Sequence, residues 1–343
     1  MDTGGLMNCN RRDPLRYNPA MRVLLVKLSS LGDVIHNLPV VSDLARARPD
    51  ARIDWAIEAP YAEIAVMHPA VGDALPVPLR RLKSHWQSMA AWRDFLRQRA
   101  AISARCYDHI VDTQGLIKSA WISGWAEGRV AGFSASSARE PLAARFYDDR
   151  IDVPCGLHAV ERNRILASRA LGYELADAVD YGISSPKKSL PWLPAEQYVV
   201  FLHATSRDNK RWPDGHWTAL GIRLRDAGLG VILPWGSPSE ERTSRRLAQT
   251  IPGALVPPAM SLTDAAAMLG TATAVVGVDT GLAHLSVALG RPTVGLYVTT
   301  QPGLTGLYGG KAAVNIGGGS EDHPSIADVD TVWRTLRMWL KLA

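Results

Sequence analysis

Short apolar runs alternate with longer amphipathic segments along almost the whole chain. The first run, residues 21–27 (MRVLLVK), is continuously apolar before its last position, which is typical of a buried parallel strand. The amphipathic segments 34–47 and 158–171 predict helices, and Gly172 suits the end of the second. The same patterns predict strands at 52–57, 74–77, 107–112, 130–133, 198–203, 230–234, 254–256, 273–278 and 293–297, and helices at 61–67, 84–105, 116–125, 214–227, 238–249, 262–269 and 282–289. Strands that alternate with helices predict an α/β fold with doubly wound, Rossmann-like parallel sheets.

A change of pattern near the middle of the chain predicts two domains. Residues 182–197 contain three prolines and no clear period, which is typical of a linker. This divides the chain into one α/β domain over residues 21–181 and another over 198–325. A terminal helix over 326–343 is expected to cross the seam between them. Since ligands of open parallel sheets bind at the carboxyl ends of the strands, we expect the site in the cleft between the domains.

Composition narrows the class of protein. Of 343 residues, 47% are hydrophobic and 21% are charged, as in ordinary globular proteins. No apolar run approaches the ~18 residues that span a bilayer. Residues 1–20 lack the apolar segment of a secretory signal, so we expect a disordered extension there and a cytoplasmic protein.

The charge of the chain is informative only locally. The formal net charge of +5 is too small to indicate a nucleic-acid partner. Residues 80–105, however, carry seven basic side chains and one acidic one. This segment indicates an anionic partner, and a solvated helix face is the alternative.

Two predicted strand ends in the second half carry groups that suit a diphosphate. In residues 275–284 (VVGVDTGLAH) a strand runs into a helix, whose free N–H groups and dipole favour an anion. Asp279 or Thr280 can instead simply cap that helix. In residues 203–213 (HATSRDNKRWP) the hydroxyls of Thr205 and Ser206 can donate to phosphate oxygens and Lys210 can neutralise them.

Further candidates lie at other strand ends. Glu240 can accept hydrogen bonds from sugar hydroxyls or serve as a favourable first-turn acid. Met260 can contact a base or belong to the core. Asp33 follows the first strand, where it can cap a helix or act as a general base, with His36 as the rival base. Motifs for a P-loop, a catalytic metal or a serine hydrolase are absent from the sequence.

Four segments together resemble one family. Residues 21–39 (MRVLLVKLSSLGDVIHNLP), 203–213, 233–241 (LPWGSPSEE) and 278–297 (VDTGLAHLSVALGRPTVGLY) are similar to the ADP-heptose-dependent lipopolysaccharide heptosyltransferases of glycosyltransferase family 9, of type I rather than type II. The resemblance runs from Met21 almost to the end of the chain. It implies the two-domain GT-B architecture and inverting transfer of L-glycero-D-manno-heptose from ADP-L-glycero-β-D-manno-heptose to the first Kdo of Kdo2-lipid A. It also implies that no metal or other cofactor takes part.

The resemblance also implies roles for individual residues. Asp33 would be the general base on the Kdo hydroxyl, and Lys210 would stabilise the departing ADP. The implied donor-binding residues are Thr205, Ser206, Lys210, Glu240, Met260, Asp279, Thr280, Gly281 and His284. The implied acceptor-binding residues are Arg80, Arg81, Lys83 and Arg139. The same basic surface would hold the enzyme against the anionic cytoplasmic face of the inner membrane, without insertion and without nucleic acid.

Two alternatives remain open from the sequence. One is a family 9 transferase with a different acceptor. The other is a non-catalytic bilobal solute-binding protein, which the missing secretory signal and the diphosphate-binding loops disfavour.

Overall fold

The first half of the chain forms a six-stranded parallel sheet in the computed structural model, which describes residues 20–205 and 207–341. Its strands are β1 (Arg22–Val26), β2 (Arg52–Glu58), β3 (Val71–Val77), β4 (Cys106–Asp112), β5 (Glu127–Phe133) and β6 (Asp149–Ile151). They lie in the order β3-β2-β1-β4-β5-β6, and every pair is parallel. The helices are α1 (Leu31–Ile35), α2 (Leu38–Ala47), α3 (Ala62–Val66), α4 (Leu79–Ser84), α5 (Met89–Ser103), α6 (Ile117–Ser123) and α7 (Ala159–Leu171), with short 3₁₀ turns at Ala59–Tyr61 and Pro141–Phe146.

The second half forms a five-stranded parallel sheet. Its strands are β7 (Tyr198–Leu202), β8 (Gly230–Ile232), β9 (Ala274–Val278), β10 (Thr293–Tyr297) and β11 (Ala313–Gly317), in the order β11-β10-β9-β7-β8. The helices are α8 (Asp214–Asp226), α9 (Pro238–Thr250), α10 (Leu262–Thr271), α11 (Gly281–Ala288), α12 (Pro302–Thr305) and α13 (Val329–Leu340), with a 3₁₀ turn at Asp208–Lys210. Between the two sheets, residues 182–197 form no helix or strand. The prediction of an α/β fold with two parallel sheets is therefore confirmed.

Several predicted elements differ from the observed ones in length or number. The helix predicted over 34–47 is two helices, α1 and α2, because Pro39 lies in the first turn of α2, where a missing N–H costs nothing. The helix predicted over 84–105 is likewise preceded by a separate α4. The run at 254–256 makes only an isolated bridge between Ile232 and Leu255. By contrast, Gly172 ends α7 in the left-handed conformation, as its position predicts.

The terminal helix belongs to the second sheet. Helix α13 packs on α8 and β10, and its buried Val332 and Leu336 share a core cluster with Trp217 and Leu220. The prediction that this helix crosses the domain seam is therefore wrong: its apolar stripe matches the core of the second sheet. Residues 1–19, where a disordered extension is predicted, lie outside the described residues, as do the last two residues of the chain.

The two sheets meet through two helices, each of which begins after the carboxyl end of a strand. Helix α1, after β1, packs on α11, after β9. The contact is close, since a Cβ on Gly281 would lie 2.6 Å from Leu31 Cγ and one on Gly32 would lie 3.1 Å from His284 Cδ2. One core cluster of buried side chains runs without a break from the first sheet into the second. Among the described residues, no helix is both long enough and apolar enough to cross a bilayer.

Candidate active site

One cavity in the second half gathers four of the predicted donor residues. Thr205, Glu240, Met260 and Thr280 line a cavity of about 300 Å³, although they come from four separate segments of the chain. They meet because each follows or faces the carboxyl end of a strand in the same sheet. Leu31 of α1, from the other half, closes one wall. The cavity therefore lies at the junction of the two halves.

The wall of this cavity, called the donor cavity after the predicted donor residues that line it, suits a flat base and a polyol. Trp235 gives it an aromatic face, which is fixed because the indole Nε1 donates to Pro257 O at 2.8 Å. Glu240 Oε2 accepts from the Gly236 N–H at 2.7 Å, which holds the carboxylate at the rim. Its other oxygen can accept hydrogen bonds from ligand hydroxyls. Thr205 Oγ1 is buried and has no hydrogen-bond partner among the described residues, so it is available to a ligand.

Asp279 positions Lys210. The Lys210 Nζ donates to Asp279 Oδ2 at 2.6 Å, and Thr300 Oγ1 donates to the same oxygen at 3.2 Å. Thr280, the N-cap residue of α11, makes no side-chain capping bond. Neither Asp279 nor Thr280 therefore caps α11 with its side chain, as the alternative prediction would require. The N-terminus of α11 carries its own partial positive charge close to the Lys210 ammonium.

Ser206, predicted to contact the donor, lies outside the described residues. Of the other predicted donor residues, Gly281 allows the close approach of α1 described above. His284 lies one turn into α11, buried between the two halves. Both carboxylates that face it, Asp279 and Asp33, act to raise its pKa, but burial dominates and lowers the pKa from 6.5 to about 4.

A second cavity contains Asp33. The Asp33 Oδ2 accepts from Ser30 N at 2.9 Å, so the residue does cap α1, and Arg139 Nη1 lies 3.7 Å from the same oxygen. The side chain nevertheless lines the cavity, where its other oxygen can accept a hydrogen bond from a ligand. Capping and catalysis are therefore compatible here, since the cap orients the carboxylate. The cavity is lined by both halves, with Leu304 and Thr305 coming from α12.

The four predicted acceptor cations do not form one cluster. Arg139 lines the Asp33 cavity. Arg80 Nε lies 2.5 Å from the buried carboxylate of Glu58, at the end of β2. Arg81 pairs with Asp94 of α5 at 3.3 Å, and Lys83 is exposed on α4. Only Arg139 is thus placed beside Asp33.

His36, the rival base, is buried away from the Asp33 cavity. Its Nε2 lies 3.2 Å from Nδ1 of His284, and its ring packs edge-on against His158. Burial lowers the pKa of His36 well below 6.5, and the neighbouring histidines lower it further. His36 therefore packs the junction, and Asp33 is the better placed base. Within residues 20–205 and 207–341, no three or more His, Cys, Asp or Glu side chains form a group that could hold a metal ion.

Sequence reasoning missed several residues of the site. Lys27 and Arg162 line the Asp33 cavity, and Trp235 lines the donor cavity. Lys27 ends the first apolar run, so a lysine directly after a buried strand was the available signal. Trp235 lies in a strand-end loop that the sequence does mark. No local sequence pattern marks Arg162, because only the packing of α7 brings it to the Asp33 cavity.

The comparisons with known proteins agree on one family. The sequence model of glycosyltransferase family 9 (heptosyltransferase) matches residues 95–332. Lipopolysaccharide heptosyltransferase 1 of Pseudomonas aeruginosa is 45% identical over 302 residues, covering 87% of this chain and 84% of that protein. The Escherichia coli K12 protein of the same name is 43% identical over 293 residues, covering 84% of this chain and 91% of that protein.

The fold comparison is equally extensive. The structure of E. coli heptosyltransferase WaaC with ADP aligns with a TM-score of 0.85 and 39% identity, covering 93% of this chain and 100% of that one. The structure with ADP-2-deoxy-2-fluoro heptose aligns with a TM-score of 0.82 over 93% and 99% of the two chains. The predicted two-domain GT-B architecture is therefore confirmed.

The buried histidines predict an acid-sensitive junction. The native pKa values of His36, His158 and His284 all lie below 6.5, although Asp33, Asp279 and Glu161 oppose the shift and Lys27 adds to it. Between about pH 6.5 and 4 the unfolded chain therefore binds more protons than the native one. We expect the free energy of unfolding to fall on acidification by about 1.4 kcal/mol per pH unit for each fully affected histidine.

Urea unfolding between pH 7 and 5 measures this slope. His36→Gln should flatten it because one titrating group is removed. The matched control His85→Gln changes an exposed histidine and should leave the slope as in the wild type. A wild-type midpoint that does not move with pH would contradict the prediction.

Proposed function

The chain belongs to glycosyltransferase family 9, the heptosyltransferases, and from this premise we propose that it transfers L-glycero-D-manno-heptose from ADP-heptose to the first Kdo of Kdo2-lipid A. It acts in the synthesis of the lipopolysaccharide inner core. One observation carries the assignment of the two cavities: Leu31 lines the donor cavity and Asp33, two residues later on α1, lines the other. A single short helix thus joins the place for the donor to the proposed general base. Membership of this family of enzymes removes the solute-binding alternative.

The donor cavity fits the nucleotide part of ADP-heptose. Trp235 and Met260 offer apolar surface to the adenine, and Glu240 offers an oxygen to the ribose hydroxyls. The diphosphate would lie against the N-terminus of α11, with Thr205 and Lys210 donating to its oxygens. The heptose would then point across α1 toward Asp33.

The chemical step needs one base and one stabilised leaving group. Asp33 accepts the proton of the Kdo hydroxyl while that oxygen forms a bond to the anomeric carbon of the heptose. The bond from that carbon to the diphosphate oxygen breaks, and ADP leaves from the opposite face, so the configuration is inverted. The ammonium of Lys210 and the α11 dipole stabilise the charge that develops on ADP. We propose that these groups make a divalent ion unnecessary.

We propose that the first half also rests on the anionic cytoplasmic face of the inner membrane, since its acceptor is a lipid. The segment from α4 to α5 exposes Trp86, Met89, Trp92 and Leu96, with Trp86 64% and Met89 73% accessible. Arginines such as Arg93 and Arg97 flank them, and Arg97 pairs with Asp94. Exposed aromatic and basic side chains together suit the interface of an anionic bilayer.

Mutation of Asp33 tests the catalytic assignment. Wild-type protein incubated with ADP-heptose and Kdo2-lipid A should release ADP and form heptosylated lipid, detected by mass spectrometry, with or without EDTA. Asp33→Ala should lower kcat about 10²- to 10⁴-fold, because loss of a general base costs that much. Its affinity for ADP, measured by calorimetry, should stay within a few-fold of the wild type.

The matched control is Asp50→Ala, which alters an exposed carboxylate after α2 and should keep wild-type kcat. A wild-type rate in Asp33→Ala would overturn the base assignment. If the wild type formed no product with Kdo2-lipid A but transferred heptose to another lipid or sugar, the protein would be a family 9 transferase with a different acceptor.

Membrane contact is tested with vesicles. The double variant Trp86→Ser/Met89→Ser should bind vesicles of phosphatidylethanolamine and phosphatidylglycerol several-fold more weakly in co-sedimentation, because it loses apolar surface at the interface. Met338→Ser removes a similarly exposed methionine, 69% accessible, from α13 of the second half and should bind as the wild type does. Equal binding by both variants would contradict this placement.

A further inference from the structure

The floor of the Asp33 cavity contains a buried ammonium group. Lys27 follows β1 directly and is only 5% exposed, yet its side chain lines the cavity. Burying a charged group is unfavourable unless it is compensated by hydrogen bonds or an opposite charge. The surroundings of Lys27 therefore indicate what that compensation is.

The compensation from the protein is incomplete. Lys27 Nζ donates to Thr113 O at 2.7 Å and to Asn163 Oδ1 at 3.4 Å, and both of these acceptors are neutral. An ammonium has three N–H donors, so one remains for a ligand. Burial lowers the pKa of Lys27 from 10.5 to about 8, while Asp33 and Asp112 act against that shift. The group is thus still mainly charged at pH 7.

Two further cations surround the same space. Arg139 and Arg162 both line the cavity and both act to lower the pKa of Lys27. The guanidinium of Arg162 lies over the ring of Phe133, 4.9 Å from its centroid, and donates to Ser137 O. Its Nε is buried with no hydrogen-bond partner among the described residues. Against these three cations, Asp33 is the only carboxylate among the described residues that line the cavity.

We propose that Lys27, with Arg139 and Arg162, forms an anion-binding floor that takes the carboxylate of the acceptor sugar acid. This inference rests on the proposed function and specifies how the acceptor is held there. A carboxylate on the floor completes the hydrogen bonds of both Lys27 and Arg162. It also fixes the sugar ring at one end, so that one particular hydroxyl faces Asp33 at the other.

An amide of the acceptor tests the proposal without any mutation. Kdo2-lipid A whose inner Kdo carboxylate is converted to the carboxamide keeps the size of the group but loses its charge. Wild-type kcat/KM for the amide should be about 10- to 100-fold lower than for the acid, because hydrogen bonds to a charged group are lost. Equal kcat/KM for acid and amide would overturn the proposal.

Lys27→Met then locates the interaction. Methionine has a similar length but no charge, so the variant should lose most of the preference for acid over amide, while its affinity for ADP is unchanged. A merely structural role would lower both rates together and leave the preference as in the wild type, which would also overturn the proposal. Lys311→Met, an exposed lysine before β11, is the matched control and should keep the preference.

A third acceptor separates the carboxylate from the lipid phosphates. With Kdo2-lipid A that lacks its phosphates, the wild type should still prefer the acid to the carboxamide by the same factor if the floor binds the carboxylate. Loss of the preference with this acceptor would assign the floor to a phosphate instead and overturn the proposal. Failure of the proposed function is distinct, since it would leave the wild type without transfer to any of these acceptors.

Discussion

The close approach of α1 to α11 is the contact on which the rest of the site depends. It is possible because Gly32 and Gly281 lack side chains where a Cβ would meet His284 and Leu31. Both helices begin directly after buried parallel strands, so the contact brings together the carboxyl ends of two sheets. It places Leu31 in the donor cavity and Asp33 in the neighbouring one. A side chain at Gly281 would force Leu31 to move, whereas one at Gly32 would crowd His284 less severely.

The two cavities differ in the charged groups that line them. Next to the donor cavity, Asp279 holds the Lys210 ammonium by a 2.6 Å bond near the N-terminus of α11, where we propose that Lys210 and the helix dipole stabilise the departing diphosphate. On the other side, cations converge on one carboxylate, Asp33, whose position α1 determines through its cap. The buried histidines between the cavities stay neutral at pH 7 because burial lowers their pKa values. The neutral histidines at the junction thus lie between the charged groups of the donor cavity and those of the Asp33 cavity.

Much of this arrangement was predictable from the sequence, because strand ends and helix starts are local patterns. Asp33, Thr205, Glu240 and Thr280 each follow a recognisable apolar run, and parallel sheets bring such ends together. Arg81 stays a predicted acceptor residue, but its ion pair with Asp94 of α5 is a tertiary contact that no local pattern indicates. The terminal helix was misplaced because its apolar stripe does not reveal which sheet it covers. Arg162 reaches the cavity only through the packing of α7, a tertiary effect.

We propose that the contact of α1 with α11 holds the donor's anomeric carbon in front of Asp33. The most direct measurement is a crystal structure of this protein with a non-transferable ADP-heptose analogue. We expect diphosphate oxygens within hydrogen-bond distance of Lys210 and the first N–H groups of α11, with the heptose turned toward the Asp33 carboxylate. A diphosphate bound elsewhere, or a heptose directed away from Asp33, would contradict it.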